Sequence, residues 1–239
     1  MLRETINKIN LELSLYGFSV ISPEENKYQR NFLEKFQNEM ENIKLEDDYE
    51  NEYPGGDLLE VRKKKLINAK DFGHKVHWIN DKGFLQYKEF DESNKKIIDL
   101  MKNTKGYNLY SIFRTLDTKQ SRHIAQNPHF DKLPTLKFML YVNDINESNG
   151  SFCLSPGSHK WVDETFGKYR FLQKSKHYNK ISREIPKSLL NRLQPINGKA
   201  GTIIIFYTNC IHHQGIVEDG CCKIVRAHYR KNLLNFKLR

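Results

Sequence analysis

A histidine and an aspartate stand two residues apart in the segment QNPHFDK, close before an apolar run, LKFMLYV. In an extended strand, residues i and i+2 point to the same side, so His129 and Asp131 would present an imidazole nitrogen and a carboxylate oxygen together, with Phe130 facing the other way. These are two of the three ligands of a facial metal-binding triad. The pattern predicts a metal site whose third ligand comes from elsewhere in the chain.

The segment GTIIIFYTNCIHHQG, residues 201–215, is the best source of that third ligand. It contains an apolar strand, a short turn and then His212 and His213. Because adjacent residues of a strand face opposite sides, only one of these histidines can join the site. Two histidines and one carboxylate leave three positions of an octahedral ion free, which suits Fe(II) working with O₂ and an oxidisable co-substrate.

The composition is that of a globular protein, since 38% of the 239 residues are hydrophobic and 12% are aromatic. The formal net charge of +10 favours an anionic partner. No segment has the roughly 20 apolar residues of a membrane span, so a cytoplasmic location is expected. The cysteines are too irregularly spaced for a disulfide framework and are expected to be reduced thiols. They are Cys153, Cys210, Cys221 and Cys222.

Helical patterns dominate the first part of what the sequence predicts to be one domain, 1–239. Residues 1–106 are expected to be a largely helical part that packs on the outside of a barrel, with a short strand at 17–21. Within it, apolar residues recur at helical spacing over 27–43 and 91–101.

Short β-rich runs separated by turn residues occupy the second part, 107–239. The long segment 161–197 is rich in lysine and tyrosine and is expected to be an insertion that covers an opening of the barrel. Helices followed by many short strands predict a mainly β fold with flanking helices, whose core is a double-stranded β-helix, the cupin-like jelly roll.

Four segments of the sequence resemble the phytanoyl-CoA dioxygenase family of Fe(II)/2-oxoglutarate-dependent oxygenases. They are YGFSVI, HFD, NESNGSFCLSPGSHKW and GTIIIFYTNCIHHQG. In this family the distal histidine usually precedes a glycine by three residues, which selects His212 because Gly215 lies three positions beyond it. The resemblance therefore implies that His129, Asp131 and His212 are the catalytic metal ligands.

The resemblance also implies that a basic residue on the strand after the distal histidine anchors the far carboxylate of 2-oxoglutarate. A charged donor is required there because a buried carboxylate needs a charge-assisted partner. Lys223 has the more usual spacing, whereas Arg226 has the planar fork suited to bidentate pairing. Being three residues apart, they face opposite sides of a strand, and Arg226 is slightly preferred. Arg114 and Gln126 are further candidates for contact with the co-substrate.

Three more positions are expected to lie near this site. Lys137 and Tyr141 alternate with apolar residues on the strand after the HFD motif, and both are expected to point inward. His159 of the Pro-Gly-Ser-His turn is expected to stabilise the turn rather than to bind metal.

The chemistry that the resemblance implies is hydroxylation of a substrate C–H bond, with 2-oxoglutarate converted to succinate and CO₂. Halogenating relatives replace the metal-binding carboxylate by a small residue, so the presence of Asp131 argues against halogenation. The net charge favours a small anionic metabolite as substrate. Two alternatives remain: a zinc or manganese cupin-like enzyme, and a non-catalytic jelly-roll module that binds an anionic polymer such as nucleic acid through KYRFLQKSKHY, residues 168–178.

Overall fold

The computed structural model of the chain places helices and strands in the order that a jelly roll with flanking helices requires. It describes residues 2–26, 33–34, 36–38, 75–78, 88–101, 106–119, 121, 124–131, 135–167 and 185–231. The helices with defined bounds are α1 (Leu2–Tyr16), α2 (Lys88–Leu100), α3 (Ser158–Phe166), α4 (Lys187–Leu190) and a 3₁₀ helix (Ile124–Gln126), and the described residues within 33–38 are helical as well. The strands are β1 (Phe18–Ile21), β2 (Lys75–Trp78), β3 (Tyr107–Thr118), β4 (Thr135–Tyr141), β5 (Phe152–Leu154), β6 (Gln194–Ile196), β7 (Ile203–Tyr207), β8 (His212–Gln214) and β9 (Cys221–Lys231).

Two antiparallel sheets form the body of the protein. The larger sheet has six strands in the order β1-β7-β4-β9-β3-β2, and the smaller has three in the order β6-β5-β8. Single β-bridges, such as Ile145 with Gly198, continue the pairing beyond the named strands. Strands that alternate between two sheets in this way are typical of the double-stranded β-helix, and the predicted fold class is confirmed.

The larger sheet is covered on both faces, which explains why most residues of its strands β4 and β7 are apolar. On β4, Leu136, Phe138 and Leu140 pack with residues of α1 and α2 in one buried cluster. Met139 and Tyr141 face the other way and pack with residues of both sheets in a second cluster. The protein therefore has three layers: helices, the six-stranded sheet and the three-stranded sheet. The face towards the three-stranded sheet is called the inner face below.

The part expected to be largely helical also contributes strands. Strands β1 and β2 form the two edges of the six-stranded sheet, so residues before 107 take part in the barrel itself. The helix predicted at 91–101 is confirmed as α2. Most of the helix predicted at 27–43 lies outside the described residues.

The expected insertion, 161–197, ends in a strand of the barrel, because β6 pairs with β5. Its central residues, 168–184, lie outside the described part of the chain. All four cysteines are free thiols, as expected. Among the described helices, none combines the length and the apolar character needed to cross a membrane.

Candidate metal centre

The HFD segment reaches the distal histidine through one β-bridge rather than through a regular strand. The backbone N–H groups of His129 and His212 each donate to the carbonyl of the other, at 3.0 and 2.8 Å. The N–H of Asp131 donates to the carbonyl of Thr208 at 2.7 Å. The segment belongs to no named strand, yet backbone bonds on both sides of Phe130 fix its position just as a strand would.

Phe130 and Ile211 anchor the two segments in a single apolar cluster. Phe130 is 3% exposed and stacks on Phe166 of α3 with a centroid distance of 5.3 Å. Ile211, which directly precedes His212, is fully buried in the same cluster, together with Val162 of α3. Phe130 thus faces away from the side chains of its two neighbours, as the alternation predicted, and helix α3 supports both segments from behind.

The side chains of His129, Asp131 and His212 converge. One possible ligand atom from each lies within 4.8 Å of the other two, and this is the group that the described residues offer for a metal ion. The His129 Nε2 and Asp131 Oδ1 atoms are 3.9 Å apart, and the two imidazole centroids are 4.4 Å apart. Atoms at such separations can share one ion after small side-chain rotations.

Backbone carbonyls select the tautomer of both histidines. His129 Nδ1 donates to the carbonyl of Asn127 at 2.7 Å, and His212 Nδ1 donates to the carbonyl of Cys210 at 2.7 Å. With Nδ1 protonated, each neutral ring presents the lone pair of Nε2, which is the arrangement found around metal-bound histidines. Because burial also lowers the pKa of His129 and, further, that of His212, both rings are neutral at physiological pH, the form that binds metal.

The carboxylate of Asp131 is ionised and paired with a lysine. Burial by itself would raise the pKa of Asp131, but the cation of Lys137 and the nearby imidazoles outweigh it and lower that pKa well below its ordinary value. Lys137 Nζ lies 2.8 Å from Asp131 Oδ2. Two neutral imidazoles and one carboxylate are the donor set of a facial triad, and the site therefore fits a ferrous ion chemically.

Adjacent histidines in β8 separate as the alternation predicted. His212 is 2% exposed and lies against Phe152 and Phe206, with centroid distances of 5.6 and 5.1 Å. His213 is partly exposed and pairs across strands with Cys153. His213 therefore lies outside the group of converging donor atoms.

Of the two cations considered for the co-substrate anchor, only Arg226 lies on the inner face. On β9, Cys222 and Ile224 belong to the cluster between the sheets, and Arg226 continues this alternation. The Arg226 Nη2 atom donates to Gln214 Oε1 at 2.8 Å, and Gln214 Nε2 donates to the carbonyl of Gly150 at 2.6 Å. Burial lowers the pKa of Arg226, but a guanidinium stays charged at neutral pH.

Lys223 and Arg114 belong to the opposite face of the sheet. Val225 on β9 packs in the cluster under the helices, and Lys223 has the same parity. Arg114 pairs directly with Val225, and paired residues share a face, so its buried side chain points towards the helical layer. We therefore leave Lys223 and Arg114 out of the candidate co-substrate site.

The Pro-Gly-Ser-His turn supports the site without entering it. The N–H of Ile211 donates to Ser158 Oγ at 2.8 Å, and Ser158 Oγ donates to the carbonyl of Ser155 at 2.6 Å. A Cβ atom on Gly17 would lie 2.6 Å from His159 Nδ1, so this imidazole packs against the chain just after α1. The turn thus holds the segment that leads into His212, in keeping with the structural role expected of His159.

The amino-acid sequence matches the model of one protein family, described as phytanoyl-CoA dioxygenase (PhyH), over residues 25–215. That match covers more than half of the chain. The chain belongs to the phytanoyl-CoA dioxygenase family. This is a family of Fe(II)- and 2-oxoglutarate-dependent oxygenases, and the protein is an enzyme of that general kind. Comparison with curated protein sequences gives no significant match.

Solved structures with the same fold include SnoN, HygX and SnoK. The non-heme α-ketoglutarate-dependent epimerase SnoN from nogalamycin biosynthesis has a TM-score of 0.64 at 9% identity and covers 95% of this chain and 84% of its own. HygX from Streptomyces hygroscopicus, with nickel, 2-oxoglutarate and hygromycin B bound, has a TM-score of 0.54 at 13% identity, with 95% and 87% covered. The carbocyclase SnoK from nogalamycin biosynthesis has a TM-score of 0.50 at 11% identity, with 93% and 83% covered.

Two residues of this dioxygenase-family chain gain importance only from the structure. Lys137 points inward, as predicted, but its ion pair with Asp131 was not foreseen. Gln214 was not predicted as a site residue, although its position two residues after His212 on β8 places its side chain on the same face.

Two residues that the sequence pointed to make structural contacts near the site. Gln126 donates to the carbonyl of Ser121 at 3.2 Å, a local contact next to the site. Tyr141 is buried and donates to the carbonyl of Ile196 at 2.8 Å, so it links the two sheets.

Proposed function

We propose that this chain holds Fe(II) through His129, Asp131 and His212, anchors 2-oxoglutarate through Arg226, and hydroxylates a C–H bond of a small anionic metabolite with release of succinate and CO₂. The observation that supports the proposal best is the convergence of three donor atoms to within 4.8 Å. Both imidazoles are already oriented by backbone carbonyls, so the triad needs little rearrangement to bind an ion.

The protein's own residues would do the positioning. Bound Fe(II) and 2-oxoglutarate would supply the oxidising power by activating O₂. Arg226 would form charge-assisted hydrogen bonds with the far carboxylate of 2-oxoglutarate, and Gln214 would keep the guanidinium aimed, because it already bonds one of its terminal nitrogens. Phe206 and Phe152, which lie against His212, would keep bulk water from that side of the metal.

The type of reaction on the prime substrate needs its own test, because the same fold serves different outcomes. SnoN is an epimerase, SnoK is a carbocyclase, and HygX has been solved with hygromycin B bound. A hydroxylase adds one oxygen atom to its product, whereas an epimerase leaves the product mass unchanged. Mass spectrometry of the product formed in ¹⁸O₂ distinguishes these reactions, and we expect one labelled oxygen in the product.

An anionic substrate is proposed from the net charge of +10. Candidate contacts lie in the segment 161–197, whose central residues are outside the described part of the chain. The polymer-binding alternative was that of a non-catalytic module and relied on residues 168–178 in that same segment, and membership of an oxygenase family argues against a module without catalysis. Consumption of 2-oxoglutarate stimulated by small phosphorylated or carboxylated compounds would support the proposed class of substrate.

The decisive experiment is an anaerobic titration with Fe(II) and then 2-oxoglutarate, followed by visible spectroscopy. Bidentate chelation of the keto acid to ferrous iron produces a weak charge-transfer band, which we expect for the native protein and for His213→Ala as the matched control. We expect the band to be lost in His129→Ala and Asp131→Ala. Iron binding without the band would refute the co-substrate assignment, and absence of iron binding would refute the metal centre.

A further inference from the structure

The two oxygens of the Asp131 carboxylate have different partners. Oδ1 faces the metal-binding nitrogen of His129 at 3.9 Å, and Oδ2 lies 2.8 Å from Lys137 Nζ. An ammonium group that binds one oxygen removes that oxygen from competition for a metal ion. The carboxylate would thus be presented to the ion through Oδ1 alone.

Lys137 is itself held in place. Its backbone lies in β4, a strand bonded on both sides, with Phe206 of β7 and His228 of β9 opposite it. The ammonium lies 5.8 Å from the centroid of the Phe206 ring, and the side chain is 15% exposed. A lysine so restricted loses little further conformational entropy when it pairs with a carboxylate.

We propose that Lys137 is a positioning residue that holds the Asp131 carboxylate with Oδ1 turned towards the His129 nitrogen that would bind metal. This inference rests on the proposed metal centre. The carboxylate is joined to the backbone by a single methylene, and its rotation would move Oδ1 away from the two imidazoles. Lys137 opposes this rotation by binding Oδ2, so Oδ1 stays 3.9 Å from His129 Nε2 and the three donor atoms stay together.

A second effect of the same lysine has the opposite sign, and it makes the inference testable. An ammonium close to the site repels a divalent cation, so removal of the charge alone would strengthen metal binding. Removal of a group that orients a ligand weakens metal binding, typically about 10- to 100-fold. The direction of the change in metal affinity therefore tells which effect dominates.

The test compares Lys137→Met, which matches lysine in length but cannot pair, with Lys137→Arg, which retains the charge and the donors. Lys199→Met is the control, because Lys199 forms an ion pair of the same 2.8 Å length with Asp144 on the exposed surface. Dissociation constants for Co(II) are measured from its visible ligand-field absorption. Circular dichroism and urea unfolding establish that each variant is folded.

We expect Lys137→Met to bind Co(II) about 10- to 100-fold more weakly than the native chain, with an altered ligand-field spectrum. We also expect a diminished charge-transfer band with Fe(II) and 2-oxoglutarate. Lys137→Arg should recover most of the affinity, and Lys199→Met should be unchanged. A Lys137→Met variant that binds Co(II) as tightly as the native chain, or more tightly, overturns the inference and leaves the metal centre standing. Failure of the native chain to bind Co(II) overturns both.

Discussion

Replacing Phe130 by alanine tests whether the apolar cluster behind the site orients the metal ligands. Phe130 is 3% exposed and contacts Phe166 and Trp161 at centroid distances of 5.3 and 6.4 Å. Truncation of a buried phenylalanine costs about 3–5 kcal/mol of unfolding free energy, because the transfer energy is lost and a cavity remains. That is a large fraction of the roughly 5–15 kcal/mol that stabilises a typical domain.

The effect on metal binding is the more specific part of this prediction. Phe130 stands between two of the ligands, so its loss frees the HFD segment to move relative to His212. We expect metal affinity to fall about 10-fold or more. Metal at 100 times the native dissociation constant should stabilise the native protein by about 2.7 kcal/mol. The same concentration should stabilise the variant by only about 1.4 kcal/mol if its affinity is tenfold lower.

The assay is urea unfolding followed by circular dichroism, with and without Mn(II), for both proteins. Phe166→Ala is the matched control, since it removes an aromatic group from the same cluster without changing the chain between the ligands. We expect this control to lose stability while keeping a metal-dependent stabilisation near that of the native protein. If Phe130→Ala retains native Mn(II) affinity, the backbone bridge alone positions the ligands and the reasoning is refuted.

Three further predictions concern the anchor, the thiols and one glycine. Arg226→Met should weaken 2-oxoglutarate binding about 10- to 100-fold, because a charged hydrogen bond contributes about 1.5–3 kcal/mol, whereas Lys223→Met should leave the Michaelis constant for 2-oxoglutarate unchanged. Burial raises the pKa of Cys210 to about 12 and also raises the pKa of Cys222. Just above the ordinary thiol pKa of 9.0, these thiols therefore ionise in the unfolded chain but stay protonated in the folded protein. The contribution of each thiol to the stability measured by urea unfolding should therefore be constant below that pH and fall by about 1.4 kcal/mol for each pH unit between the unfolded and the folded pKa. Gly17→Ala should lower the free energy of unfolding by at least about 1–2 kcal/mol in the same assay. The residue has a φ of 85°, and an added Cβ would clash with the imidazole of the Pro-Gly-Ser-His turn. Native stability in this variant would show that the chain relaxes there.

Local patterns in the sequence predicted the jelly roll and the pair His129 and Asp131, whereas the choice of His212 over His213 came from the family resemblance. The spacing of His129 and Asp131 and the apolar strand before His212 are short-range features, and they survive errors in the placement of strands. The prediction that His129 and Asp131 share one side held even though their segment forms only a bridge, because an extended backbone alternates its side chains with or without a full ladder.

Which face of a strand is the inner one could not be predicted from a single strand. Alternation established that Lys223 and Arg226 face opposite sides, but the choice between the sides depends on packing against other elements. The register of β3 with β9 places Arg114 beside Val225 on the helical side, and that pairing depends on residues far apart in the chain. Contacts such as the Lys137 and Asp131 pair arise between neighbouring segments whose relative position only the folded sheet defines.

Strand β8 connects the candidate metal centre to the candidate anchor. His212 and Gln214 lie on the same face of this three-residue strand, so the residue that offers a metal ligand is two positions from the residue that bonds Arg226. Strand β8 belongs to the smaller sheet and Arg226 to the larger one, so this hydrogen bond crosses the interior between them. A co-substrate that spans from the metal to the guanidinium would contact both sheets at once. Co-substrate affinity should therefore depend on how closely the two sheets pack, a property of the whole barrel rather than of any one motif.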